Sequence, residues 1–319
     1  MQLKSKKIIY SIYFVITFIS YCQILHFPYF KKYNSDIIEN MQEYFLTFYC
    51  KGFSTNVYYF GDLITTKDKI DIFIGNHFNF IDFIIHQGIF KKLDSKEITY
   101  LYSKYIDNIP IIGRGFKNSN SLALNKKIHL DIDNIRDYIN NKNNIVIYLN
   151  PEGTRITYKK LISSKKYSRD NNLKEYSNLL FPKMKGLYTL INELSKQGKM
   201  GNIIDFTVKV ENTTKNDNDL YKYLNKPLGN TYVMIKTYKV KHIVEYDKFK
   251  EWFLMIWDKK EEYLNDYNNT EKYDYKLLDT KLKTSIKVIT CLTIYIFTYF
   301  IYFLYLKKNS LFNIRTIIG

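Results

Sequence analysis

The chain has 319 residues, with 48 Lys or Arg against 31 Asp or Glu for a formal charge of +17, and it is 46% apolar and 17% aromatic. That apolar and aromatic content excludes a disordered polycation, and 5 Pro with 12 Gly exclude a fibrous repeat or a linker-dominated chain. Cys22, Cys50 and Cys291 are odd in number and widely spaced, a pattern that supports neither a disulfide framework nor a zinc site.

The positive charge has three readings: a solvated surface, nucleic acid binding, or attraction to anionic lipid. Only five of the 48 cations are Arg, whereas base reading and bidentate phosphate capture favour the guanidinium fork. The lysine bias therefore favours solvation and lipid surfaces over nucleic acid.

In chain order, residues 8–25 are uncharged and follow Lys4, Lys6 and Lys7. No small-x-small cleavage site follows, so residues 1–35 read as an uncleaved membrane anchor or a hairpin dipping into one leaflet. An amphipathic helix is predicted over residues 36–50. Strands are predicted at 70–74, 98–102, 145–149, 203–210 and 231–240, and helices at 81–90, 130–139, 183–196 and 246–267. Strands separated by helices predict an α/β domain over residues 36–280, a mixed sheet covered by helices. The polar stretches 211–219 and 266–270 read as loops. Residues 288–306 are nineteen in a row without a charge, enough at about 1.5 Å each to cross most of a ~30 Å hydrocarbon core. Lys287, Lys307 and Lys308 flank them, so residues 286–308 are predicted to be a transmembrane helix whose orientation the charges leave open.

Chemistry is expected where strands end. After the first apolar strand stands Asn76-His77-Phe78-Asn79-Phe80-Ile81-Asp82. On one continuous helix His77 and Asp82 would point about 140° apart, so they meet only if His77 lies in the loop and Asp82 in the first turns of the helix. The carboxylate would then fix the imidazole tautomer and leave Nε2 as a base, although a lone satisfied histidine is the commoner reason for such a residue. The strand at 145–149 runs into Pro151-Glu152-Gly153-Thr154-Arg155, a turn ending in a guanidinium suited to a phosphate. Residues 155–186 hold nine Lys or Arg against Asp170 and Glu175, a local +7. Between these junctions lie Pro110 to Lys126, in which Gly113-Arg114-Gly115 lacks the third glycine of a dinucleotide fingerprint. Pro182-Lys183-Met184-Lys185-Gly186 opens another helix.

In this order the four segments resemble the blocks of the glycerolipid acyltransferase family that includes the 1-acylglycerol-3-phosphate acyltransferases. Residues 204–208, Ile-Asp-Phe-Thr-Val, and the helix around residues 252–264 are similar to the lysocardiolipin acyltransferase-like branch. The resemblance covers roughly residues 40–270. It departs at Lys126, where the family more often has Arg, and at Asn79 and Phe80, where this branch commonly has Ser and Trp.

The resemblance implies a membrane-bound, acyl-CoA-dependent acyltransferase that acylates the sn-2 hydroxyl of lysophosphatidate without a metal or resident cofactor. It makes His77 the general base, Asp82 its orienting acid, and Lys126, Glu152, Gly153, Thr154, Arg155, Pro182 and Lys185 the substrate-binding set. Backbone amides near Gly153 are the candidates for an oxyanion site. The implied partners are a lysophospholipid acceptor, acyl-CoA and anionic membrane lipid, with no nucleic acid. The implied location is the endoplasmic reticulum or another intracellular membrane, with the catalytic domain in the cytosol. Two alternatives stay open: remodelling of lysocardiolipin or lysophosphatidylinositol, and a membrane-tethered lipid-binding protein without catalysis.

Overall fold

The computed structural model describes residues 34–78, 82–110, 112–125, 128–211, 229–240, 245–266 and 272–280, with Ile8, Phe18 and Tyr299 singly. Nearly all of the two apolar stretches, 8–25 and 288–306, lies outside the described residues, and so does Lys126. Among the described residues no helix is long and apolar enough to cross a membrane.

Strand β2 (Ile70–Gly75) is buried along its whole length. Its alternation sends Ile70, Ile72 and Ile74 to one face of the sheet and Phe73 to the other, where each joins a separate apolar cluster. Phe73 is fully buried against Phe90, Tyr148 and Phe206, so its truncation to Ala would cost about 3–5 kcal/mol. Around β2 the sheet is built from β1 (Val57–Phe60), β3 (Glu97–Ser103), β4 (Leu122–Leu124), β5 (Ile145–Leu149), β6 (Met200–Val210), β7 (Thr231–Lys239) and β8 (Lys276–Leu277). The eight strands lie in the order β4-β3-β5-β2-β6-β7-β1-β8. Pairing is parallel from β4 to β6, antiparallel between β6 and β7, parallel between β7 and β1, and antiparallel between β1 and β8.

Helices α1 (Asn34–Phe53) and α2 (Asp82–Leu93) cover the Phe73 face. The opposite face carries α4 (Ile128–Asn140), α6 (Met184–Lys196) and α7 (Tyr246–Asn265), with Leu187, Leu190, Phe249, Phe253 and Trp257 packed on the isoleucines of β2. Two further helices, α3 (Ile112–Asn118) and α5 (Tyr158–Asp170), follow β3 and β5. The mixed sheet covered by helices is the predicted architecture. Sequence reasoning omits β1, β4, β8, α3 and α5, all short or weakly patterned.

Because β2, β3 and β5 are parallel neighbours, their carboxyl ends share one edge. Ligand sites of open α/β sheets gather outside such ends.

Candidate active site

At Gly75 strand β2 passes beneath the His86 ring so closely that a Cβ would stand 2.4 Å from His86 Cε1, which demands glycine. The next residue fastens the strand end with its side chain. Asn76 Nδ2 donates to the Val208 carbonyl at 2.9 Å, and the Val208 N–H donates to Asn76 Oδ1 at 2.8 Å. The side-chain amide thus copies a rung of the β2–β6 ladder and frees the main chain to turn at His77.

His77 lies in the loop and Asp82 is the first residue of α2. His77 Nδ1 is 2.7 Å from Asp82 Oδ2. Asp82 is buried, while the His77 side chain keeps 23% of its surface open. An ionised carboxylate only accepts, so Nδ1 carries the proton and Nε2 presents its lone pair.

The His77 backbone is clamped from both sides by the turn after β5. Glu152 Oε1 accepts the His77 N–H at 2.7 Å, and the His77 carbonyl accepts the Ile156 N–H at 2.9 Å. Glu152 Oε2 accepts the Leu180 N–H at 3.1 Å, and the Pro151 carbonyl accepts the Lys183 N–H at 2.7 Å. Glu152 is 2% exposed, and burial lifts its pKa to about 7 against the opposing pull of those two N–H bonds. It is a hub that joins the His77 loop and the 151–155 turn to the segment just before Pro182, and its oxygens are turned inward to backbone. The Leu180 carbonyl is held from behind by Trp257 Nε1 at 3.0 Å, while Glu261 Oε1 accepts the Ser177 N–H at 2.6 Å. Helix α7 therefore braces the 177–180 segment. Nearby, Lys260 forms a fully buried ion pair with Asp205 and donates to the Phe206 carbonyl at 2.9 Å.

The remaining sequence candidates spread around this hub. Gly153 has φ +67°, and its N–H closes the turn onto the Asn150 carbonyl at 2.9 Å, so that amide is already engaged within the turn. Thr154 Oγ1 accepts from Lys160, and the Arg155 side chain is exposed. Pro182 is buried, and Lys185 lies exposed on the first turn of α6. Lys183, which sequence reasoning leaves out of the set, runs its stem over Gly153: a Cβ there would meet Lys183 Cδ at 3.0 Å. Arg155, Lys160 and Lys183 thus make the turn basic. Among the described residues no three or more His, Cys, Asp or Glu are grouped to hold a metal.

An apolar cavity of about 270 Å³ reaches His77 from the α1–α3 side, walled by Met41, Phe83, Tyr100, Phe116 and Tyr148. Phe18, from the amino-terminal apolar stretch, also lines it and packs on Phe45 with ring centroids 6.0 Å apart. Tyr148 OH donates to Asn150 Oδ1 at 3.1 Å and lies 2.9 Å from His86 Nδ1, which therefore carries the proton of that bond. Burial holds the His86 pKa well below the usual imidazole value and keeps it neutral. Tyr148 and His86 escape sequence reasoning because each reads as an ordinary core residue.

Chemically, the arrangement offers an oriented base beside an apolar cavity, with a basic turn adjoining it. An acyltransferase family model matches residues 62–193, which contain the His77 loop, the Glu152 turn and the start of α6. The probable 1-acyl-sn-glycerol-3-phosphate acyltransferase 5 of Arabidopsis thaliana is 22% identical over 250 residues, spanning 76% of this chain. The chain spans 65% of the length of that curated relative. The crystal structure of the 1-acyl-sn-glycerophosphate acyltransferase PlsC from Thermotoga maritima superposes with a TM-score of 0.50 at 13% identity, over 83% of this chain and 99% of that one. That likeness is one of fold, a mixed sheet between helices. By this domain match and these relatives, the chain is similar to the glycerolipid acyltransferases, with the matched acyltransferase domain at residues 62–193.

Proposed function

We propose that the protein is a membrane-bound acyltransferase that moves an acyl chain from acyl-CoA to the free sn-2 hydroxyl of lysophosphatidate, giving phosphatidate. The observation that carries this reading is the 2.7 Å contact of His77 with buried Asp82 at the wall of an apolar cavity. His77 Nε2 takes the proton of the acceptor hydroxyl as that oxygen attacks the thioester carbonyl. The tetrahedral intermediate then expels CoA thiolate, which takes the proton back from the imidazolium. Asp82 holds the tautomer and stabilises the transient cation. The acyl chain occupies the cavity. Arg155, with Lys126 and Lys183, receives the acceptor phosphate, a task for which the guanidinium fork is suited. Glu152 acts through the His77 backbone as a positioning residue.

The apolar stretches 8–25 and 288–306 anchor the chain in an intracellular membrane, with the catalytic domain cytosolic, so that neither lysolipid nor product leaves the lipid phase. A second reading, remodelling of lysocardiolipin or lysophosphatidylinositol, is favoured by residues 204–208 and the helix around residues 252–264, where the chain resembles the lysocardiolipin acyltransferase-like branch.

Membranes bearing the full chain are expected to convert lysophosphatidate and labelled acyl-CoA to phosphatidate, and His77→Ala to abolish conversion while the protein stays in the membrane. Equal rates for the two proteins would overturn the assignment, and a lysolipid panel separates the two acceptor readings.

A further inference from the structure

Ten large apolar side chains are exposed among the described residues, and five of them, Tyr105, Ile109, Tyr158, Ile162 and Tyr167, follow just two strands, β3 and β5. Those strands are adjacent and parallel, so both segments emerge at the edge where the chain leaves β2 for His77. After β3, Tyr105 is 79% exposed on a 3-10 turn beside exposed Lys104, and Ile109 is 45% exposed. After β5, the α5 helix turns Leu161 and Ser168 inward and leaves Tyr158 at 62% and Ile162 at 49% exposure. Tyr158, Ile162, Lys166 and Arg169 fall at i, i+4, i+8 and i+11, on one side of the helix. Lys104, Lys159 and Lys166 make no ion pair among the described residues.

Apolar tips interleaved with unpaired ammonium groups suit one environment better than bulk water. At a lipid headgroup boundary the ring or branched chain enters the acyl region, while the lysine stem extends to lipid phosphate. The +7 concentrated over residues 155–186 favours an anionic surface. A solvated helix face would not require two isolated segments to expose apolar bulk on the same edge.

We propose that the face formed by residues 104–109 and helix α5 docks on an anionic lipid bilayer and holds the His77 end of the sheet against the headgroups. The proposal builds on the acyltransferase reading, since the acceptor is then delivered from the surface that the face touches, but its measurement needs no turnover. Full chain carrying a polarity-sensitive fluorophore at Ile162→Cys is reconstituted into vesicles of equal parts phosphatidylcholine and phosphatidylglycerol. Labelled wild type is the blank for native cysteines, and Asn141→Cys, exposed before β5 at the opposite edge, is the control.

The label at 162 is expected to shift to the blue and to be quenched by lipid-borne quencher, the label at 141 to stay accessible to aqueous quencher, and pure phosphatidylcholine to weaken the effect. Lys159→Gln with Lys166→Gln should lower the docking equilibrium constant about thirtyfold. Equal quenching at 162 and 141 would overturn the proposal. So would a 162 signal that is the same in neutral and anionic vesicles, as docking on a protein partner or a second copy would give. A docked label on a protein without acyl transfer would instead sink the catalytic reading and leave the docking intact.

Discussion

Replacing Glu152 by Gln separates what this side chain does for stability from what it does for geometry. Its carboxyl group titrates at about 7, against 4.5 for an unperturbed glutamate, because it is buried. A carboxyl whose folded pKa is raised keeps its proton in the native state while the unfolded chain releases it. Stability therefore falls as pH rises from about 4.5 to about 7 and levels off above that. At about 1.4 kcal/mol per unit, a gap of roughly 2.5 units amounts to about 3 kcal/mol. Glutamine has no such titration, but only one of its terminal atoms accepts, so the N–H of His77 or of Leu180 faces an amide NH2 at a cost of about 1–3 kcal/mol. Thermal unfolding of both full-length proteins in neutral detergent should show the variant below wild type near pH 4.5. It should then gain on wild type as pH rises, the difference in Tm moving by roughly 6–12 °C by pH 8. Activity should move the other way, falling about ten- to a hundredfold as the His77 loop shifts. Parallel Tm curves across this range would refute the assignment of a buried carboxyl with a raised pKa at the hub.

Gly153→Ala places a Cβ at φ +67° and 3.0 Å from Lys183 Cδ, so a loss of about 1 kcal/mol or more is expected, read as a lower Tm together with reduced turnover. Lys260→Met strands Asp205 as a buried, unpaired charge and should cost about 3–5 kcal/mol, whereas Lys260→Met with Asp205→Asn should recover most of it in the same denaturation assay. Ser119→Leu narrows the cavity at its α3 end and should shift the preferred donor toward shorter acyl chains; an unchanged chain-length profile in a correctly folded variant would remove the cavity from the acyl-binding role.

How much of this was legible depended on range. Strands β2 and β5 announce themselves because both faces are buried and the sequence is apolar but for Asp71. Helix α5 does not, since Leu161 and Ser168 are its only buried residues and no apolar stripe forms. Helix α3 contains Gly113 and Gly115, which intrinsic propensity disfavours and only packing explains. The spacing of His77 and Asp82 already required a loop followed by a helix start, and that is their placement. By contrast, nothing local in the sequence indicates that Glu152 serves the His77 backbone, that Asn76 pairs with Val208, or that Trp257 holds Leu180. Each is a tertiary contact between a motif and a distant segment, and strand order and register are fixed by the same kind of contact.

The bond from Glu152 reaches back 75 residues to His77 and forward 28 to Leu180, and Leu180 waits on Trp257, another 77 along. During synthesis from the amino terminus, His77 and Asp82 can find each other early, but the loop that aims them has no anchor until the Glu152 turn appears, and that turn has no backstop until α7 is made. A nascent or truncated chain ending before residue 257 therefore holds both members of the dyad without the frame that aims them. The frame around His77 is complete only once helix α7 has packed back onto the segment that ends at Leu180.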